Sequence, residues 1–293
     1  MHETIRQILT RAQARLEQAG IDDAAFNLRC MATAALGVDA GQLPLYWSEI
    51  ASADFVGRLD SMVSRRCAHE PLQYILGSWG FLDMTLVTRP GVLIPRSETE
   101  EVFMAAAKAI EEAITARVLP QNFWFADVGT GSGALGIALA RRFIEAQGLL
   151  IDVSAAALEI AKENLSVYSE LYTRVGVVLT DLLSAVQPAS MHVIISNPPY
   201  VNRGDIAALM PEVRDHEPHL ALDGGTSGLD LIEHLLDQAA EKIVAGGLFI
   251  FEHGHGQRQA IRNLSDNDDW SACCVGDDLS ARERWFILTR SSR

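Results

Sequence analysis

Ser196-Asn197-Pro198-Pro199-Tyr200 places a planar amide on a rigid turn. The turn follows His192-Val193-Ile194-Ile195, a β-branched apolar run that reads as a buried strand. Two prolines end any strand or helix, because each fixes its own φ and lacks a backbone donor. Asn197 therefore sits at a strand's carboxyl end, where open α/β sheets bind ligands. Its side chain offers one carbonyl acceptor and one NH2 donor in a plane. With the Pro198 carbonyl it makes a pair of acceptors suited to a planar NH2 group, as in an amide or an adenine. Read alone, Asn-Pro-Pro is equally well a turn punctuator, so the decision falls to residues upstream.

Asp127-Val128-Gly129-Thr130-Gly131-Ser132-Gly133 follows another candidate strand and opens a helix at Ala134. Glycines at alternate positions let the backbone turn sharply and approach a ligand closely. Nineteen residues beyond Gly133, Asp152 ends the next strand, where a carboxylate is placed to bind ribose hydroxyls. Dinucleotide enzymes favour Gly-x-Gly-x-x-Gly, and a P-loop requires a following Gly-Lys-Ser/Thr, which is missing. The alternating glycines introduced by an acid resemble motif I of the class I methyltransferases that use S-adenosylmethionine.

The elements that must carry these loops are legible as alternation. Candidate strands lie at 123–128, 149–152, 175–180, 192–196 and 248–252, with helices at about 135–146, 155–166 and 229–244 between them. Such alternation predicts an α/β, Rossmann-like doubly wound parallel sheet with helices on both faces. The stretches 271–275 and 285–289 predict an antiparallel pair at one edge. Upstream, Ile5, Ile8, Leu9, Ala12, Leu16 and Ala19 mark one face of the first of several helices, a small helical domain over residues 1–70. Residues 71–95 read as a linker whose hairpin pairs Phe81–Val87 with Gly91–Ile94, and 96–293 as the catalytic domain. Ser97 with Glu100 predicts a capping box opening a helix that runs to about Ala116.

Taken together, Asp127–Gly133, Asp152 and Asn197–Tyr200 resemble the amino-methyltransferases with an Asn/Asp-Pro-Pro-Tyr motif, which act on adenine N6 or on glutamine amides. Further stretches resemble the glutamine-amide enzymes of the HemK/PrmC family. These are Glu70-Pro71-Leu72-Gln73-Tyr74, Leu93-Ile94-Pro95-Arg96 with Glu98-Thr99-Glu100, Val213–Pro218, Ala221–Gly225 and Phe251-Glu252-His253-Gly254. The resemblance covers roughly residues 70–290. It implies methyl transfer from S-adenosylmethionine, with S-adenosylhomocysteine as product, to the glutamine of the Gly-Gly-Gln motif of peptide-chain release factors. A sister group acts on a large-subunit ribosomal protein. It further implies catalytic Asn197, Pro198 and Tyr200, with Pro199 completing the substrate site. The implied cofactor contacts are Asp127, Gly129, Thr130, Gly131, Ser132, Gly133, Asp152, Asp181, Leu182 and Asn197. The helical domain would dock the protein substrate. Two residues depart from the pattern: Ser97 stands where proline is common, and Leu182 where some members have tryptophan against the adenine.

Composition sets the remaining bounds. The chain has 293 residues, 48% of them hydrophobic, enough for a substantial core. Its formal net charge of −14 disfavours binding to a phosphate backbone, so no direct nucleic-acid contact is expected and a basic protein partner suits it better. Four cysteines without a Cys-x-x-Cys pair read as reduced thiols in the cytoplasm. No apolar run reaches 18 residues and the amino terminus lacks a signal peptide's apolar core, so no membrane contact is expected. His216 and His219 around Glu217, and His253-Gly254-His255 after Glu252, lack further ligands at usable spacing, and no metal is expected. The chain is expected to act as a monomer.

Overall fold

The computed structural model describes residues 3–292. The chain divides into two compact units. The first takes the chain up to Trp79, with Thr88–Pro90 and Met210–His216; the second takes Gly80–Val87, Gly91–Leu209 and Glu217 onward.

The first unit holds α1 (Ile5–Gln18), α2 (Ala24–Leu36), α3 (Ala53–Cys67) and the short α4 (Leu72–Leu76). The first three helices are capped by Thr4, Asp23 and Ser52, whose side chains each accept a backbone N–H in the first turn. Of the predicted stripe, Ile5, Ile8, Leu9, Ala12 and Leu16 are buried against Met31, Phe55, Leu59 and Val63, and Ala19, the C-cap of α1, is partly buried. Arg66 is 4% exposed. It donates to Asn27 Oδ1 (2.7 Å) and to the Glu70 carbonyl (3.1 Å), and it pairs with Glu212. That buried guanidinium, with three acceptors, holds the distant segment Met210–His216 in this unit.

Next come β1 (Ser78–Phe81) and β2 (Met84–Val87), a two-stranded sheet, and then α5 (Ser97–Thr115). The hairpin is displaced from its predicted place. Leu82 (φ +53°) and Asp83 form the turn, and Gly91–Ile94 is not a strand. The predicted capping box is absent as well. Arg96 takes the N-cap position without a side-chain bond, and Ser97 Oγ donates to Glu98. Both departures have one cause: Glu100 Oε1 accepts the Leu82 backbone N–H at 2.7 Å, so it braces the hairpin turn instead of its own helix.

The second unit continues with β3 (Trp124–Val128), α6 (Ala134–Arg142), β4 (Gln147–Asp152), α7 (Ala155–Ser166), β5 (Val175–Leu179) and β6 (Met191–Ser196). After α8 (Pro211–His216), which belongs to the first unit, follow α9 (Asp230–Lys242), β7 (Ile243–Glu252), α10 (Arg258–Ser265), β8 (Trp270–Asp277) and β9 (Glu283–Arg290). The sheet order is β5-β4-β3-β6-β7-β9-β8, parallel through β7 and antiparallel in the last two pairings. The doubly wound sheet with an antiparallel edge pair is as the alternation predicts; α6 ends four residues early and α10 was not foreseen.

Strand period two sorts neighbouring side chains to opposite faces. Phe125, Val193, Ile195 and Ile250 meet α5 and α6, whereas Ala126, Ile194, Phe249 and Phe251 meet α9 and α10. Truncating a buried phenylalanine such as Phe251 would cost about 3–5 kcal/mol. β3 and β6 are neighbours from which the order runs outward in both directions, so the crevice of the fold opens at their carboxyl ends. Val128 pairs with Ser196 there, which brings the glycine loop and the Asn-Pro-Pro turn side by side. Among the described residues no helix is long and apolar enough to cross a membrane.

Candidate active site

A cavity of about 400 Å³ opens at those strand ends. On the β3 side, Gly129 and Gly131 have φ of +67° and +54°, a left-handed backbone that a side chain would strain. The loop is held from beneath by Asp127, which is 1% exposed. Its Oδ2 accepts from Thr130 Oγ1 (2.6 Å) and from the Gly136 N–H (2.8 Å). A Cβ at Gly136 would lie 2.9 Å from that same oxygen and 2.2 Å from Leu150 Cδ2, so only glycine lets the carboxylate reach the helix backbone.

Burial pushes the Asp127 carboxyl up to about 6, against the pull of its two donors, and neighbouring Asp152 adds to the rise. The folded value lies above the unfolded one, so the native state keeps a proton that the unfolded chain has already lost. Stability from this group is therefore present at low pH and lost as pH rises from about 4 to about 6, by about 3 kcal/mol at most. Asp127→Asn should remove that slope and be the more stable form at neutral pH. Urea titrations of both proteins across this range check it, and parallel pH profiles would refute it.

Asp152 ends β4 and faces the cavity. Its Oδ2 accepts the Gly131 N–H (2.9 Å) and its Oδ1 accepts that of Ser154 (2.8 Å). Each carboxylate oxygen keeps a further lone pair for a ligand hydroxyl. Asn164 is buried on α7. It donates to the Ser132 carbonyl (2.9 Å) and accepts the Val87 N–H (2.7 Å), tying the glycine loop to β2.

On the β6 side, Ser196 Oγ donates to the Val128 carbonyl at 2.7 Å and locks the two strand ends together. Asn197 follows at the cavity wall, its Nδ2 3.1 Å from Thr99 Oγ1. Thr99 in turn donates to Glu252 Oε2 (2.7 Å), while the Tyr200 hydroxyl donates to Glu252 Oε1 (3.1 Å). Glu252 closes β7, is 1% exposed and has its carboxyl raised by that burial, with Arg284 3.9 Å away opposing the rise. Burial first, and then Glu252, hold the Tyr200 phenol far above its ordinary range, so it stays protonated and donates. Arg96 pairs with Glu217, whose other oxygen accepts the Ile94 N–H (3.1 Å), which fastens the segment Val92–Arg96 along the cavity.

Asp127, Gly129, Thr130, Gly131, Ser132, Asp152, Asp181, Leu182, Asn197 and Pro199 all line the cavity. Gly133, Pro198 and Tyr200 stand outside its lining: Gly133 caps α6, Pro198 is buried, and Tyr200 turns its hydroxyl to Glu252. Thr99 and the backbone of Val92–Pro95 were missed as wall, and Glu252 as support. The signal for Glu252 was present in the sequence, as a carboxylate ending the apolar strand Leu248–Phe251. His253 is wholly buried against Phe286, with Nδ1 2.8 Å from the Gly254 carbonyl.

The "Release factor glutamine methyltransferase" of Geobacter sulfurreducens is 32% identical over 281 residues, covering 96% of this chain and 95% of that one. The chain belongs to the release factor glutamine methyltransferase family. The family's member from Mycobacterium tuberculosis (strain H37Rv) is 36% identical over 292 residues, 98% of this chain and 92% of that one. The "PrmC N-terminal domain" matches residues 7–77, and the "Methyltransferase small domain" matches 98–226. Among solved structures, a methyltransferase from Pyrococcus furiosus aligns over 72% of this chain and 91% of its own, at 15% identity and a TM-score of 0.51, a likeness of fold. Membership makes the chain an S-adenosylmethionine-dependent methyltransferase.

Proposed function

We propose that the chain methylates the side-chain amide nitrogen of the glutamine in the Gly-Gly-Gln motif of peptide-chain release factors, in the cytoplasm and as a monomer. The observation that carries this reading is Asn197 at the cavity wall beside the glycine loop, in a chain of this family.

The cavity's donor set fits S-adenosylmethionine. Asp152 has lone pairs for ribose hydroxyls, the turn Gly129–Ser132 offers close backbone, and Leu182 and Val153 offer apolar surface for a ring. Bound there, the cofactor supplies an electrophilic methyl group and leaves as S-adenosylhomocysteine. The protein's own task is to prepare a poor nucleophile, because an amide nitrogen's lone pair is delocalised into its carbonyl. Asn197 Oδ1 and the Pro198 carbonyl accept the two N–H bonds and so aim the lone pair, which stands perpendicular to the amide plane, at the electrophile. They also stabilise positive charge developing on nitrogen, the mirror image of an oxyanion hole. One N–H proton is released to solvent as the new N–C bond forms. Pro199 borders the substrate and Tyr200 anchors the turn from below. The helical first unit docks the protein substrate, whose recognition of so acidic a chain is helped by basic surface.

Incubation of purified release factors with isotopically labelled S-adenosylmethionine, followed by peptide mass spectrometry, tests the reading. One methyl on the Gly-Gly-Gln glutamine is expected. Label on a large-subunit ribosomal protein or on adenine, with release factors unmodified, would overturn it.

A further inference from the structure

The Asn197 amide has two ends, and only one of them can accept an N–H from a substrate. Which end faces the cavity is decided by Thr99. A threonine hydroxyl has a single hydrogen, and Thr99 directs it to Glu252 Oε2 at 2.7 Å. Towards Asn197, 3.1 Å away, Thr99 can then only accept, so the nitrogen must be the end that meets it. The carbonyl end is left for the site. Glu252 is in turn held as an acceptor on both oxygens, since the Tyr200 hydroxyl donates to Oε1 at 3.1 Å and Arg284 stands 3.9 Å away. Arg284 is itself fixed by two bonds to Asp278 Oδ2, of 3.2 and 2.9 Å. Every proton among Tyr200, Thr99 and Asn197 thus runs toward Glu252, directly or through Thr99.

We infer that Thr99 and Glu252 are positioning residues that set the polarity of the Asn197 amide, and that they make asparagine rather than aspartate the working residue at the head of the turn. This rests on the methyl-transfer reading above. The same chain of bonds implies that a carboxylate at 197 would work less well than the amide. An aspartate there would face the Thr99 oxygen without a proton between them, because that proton is already committed to Glu252. A half-buried carboxylate at 197 and the buried Glu252 would compete for one hydrogen.

Reversing the chain tests the inference. In Asn197→Asp with Glu252→Gln, the new amide can donate to Thr99 from its nitrogen and still accept from Tyr200 at its oxygen. Thr99 is then free to donate to the new carboxylate. The double variant should turn over about tenfold faster on a Gly-Gly-Gln substrate than Asn197→Asp alone, a non-additivity of the kind expected for groups in one network. Independently, Thr99→Val should lower turnover about tenfold with S-adenosylmethionine affinity within about twofold of the parent, and Thr99→Ser should recover most of the loss, because the hydroxyl alone sets the polarity. Losses that simply multiply in the double variant, or valine and serine behaving alike at position 99, would overturn the inference while the parental protein still methylates release factors. If the double variant does not fold, the Val and Ser pair decides by itself. A parental protein that leaves the Gly-Gly-Gln glutamine unmodified overturns both readings.

Discussion

Asn197→Ala is expected to lower turnover on a Gly-Gly-Gln substrate by ~10²–10³-fold, the scale for losing one preorganised partner of developing charge. S-adenosylmethionine affinity should change by no more than a few-fold. The separation follows from where the turn is held. Ser196 Oγ is anchored on the Val128 carbonyl at 2.7 Å, and Pro198 and Pro199 fix their own backbone, so alanine leaves the turn in place. The glycine loop and Asp152 make no hydrogen bond to the Asn197 side chain, whose Nδ2 goes to Thr99. What alanine removes is the carbonyl acceptor facing the cavity. Steady-state kinetics with saturating cofactor, beside calorimetry of cofactor binding, separates the two effects. A parental kcat in the alanine variant would reduce Asn197 to a turn residue and remove the central claim about this stretch.

The glycine-loop wall of the cavity was legible because it is local. A glycine loop, its strand and the acid one unit later lie within Asp127–Asp152, and their spacing follows from the geometry of one βαβ unit. The parallel sheet was legible for the same reason, through alternation of period two with period 3.6. The support of Asn197 was not, because it is assembled across the chain. Thr99 and Glu252 are 153 positions apart, and no periodicity links them. Arg96, just before the start of α5, likewise finds its partner in Glu217, 121 positions away. The hairpin was misplaced because the alternation of Phe81–Val87 runs unbroken through Leu82 and Asp83; only Glu100, reaching to the Leu82 N–H, marks where the chain turns. The capping box failed on that same bond. A Ser-x-x-Glu spacing states a possibility, and the carboxylate goes to whichever buried backbone donor has no other acceptor.

Asp152→Ala should weaken S-adenosylmethionine binding by about 1.5–3 kcal/mol, the range for hydrogen bonds to a charged group, or roughly 10- to 150-fold in dissociation constant. The carboxylate has two tasks. It braces the protein by accepting from Gly131 and Ser154, at 2.9 and 2.8 Å, and it presents its remaining lone pairs to the cavity. The brace matters to the ligand as well, because Gly131 holds a left-handed φ of +54° in the loop that must approach the cofactor closely. Asparagine is no neutral control, since its NH2 end would meet one of the two backbone donors and leave that contact repulsive. The two tasks are separated by measurement instead. Loss of the brace lowers the melting temperature of the protein without cofactor, whereas loss of the ribose contacts appears only in the binding constant, read well below that temperature. Both should change in Asp152→Ala. A lowered melting temperature with a dissociation constant within about twofold of the parent would leave Asp152 as a brace alone, and the ribose would need another partner at Val153, Ser154 or Asp181.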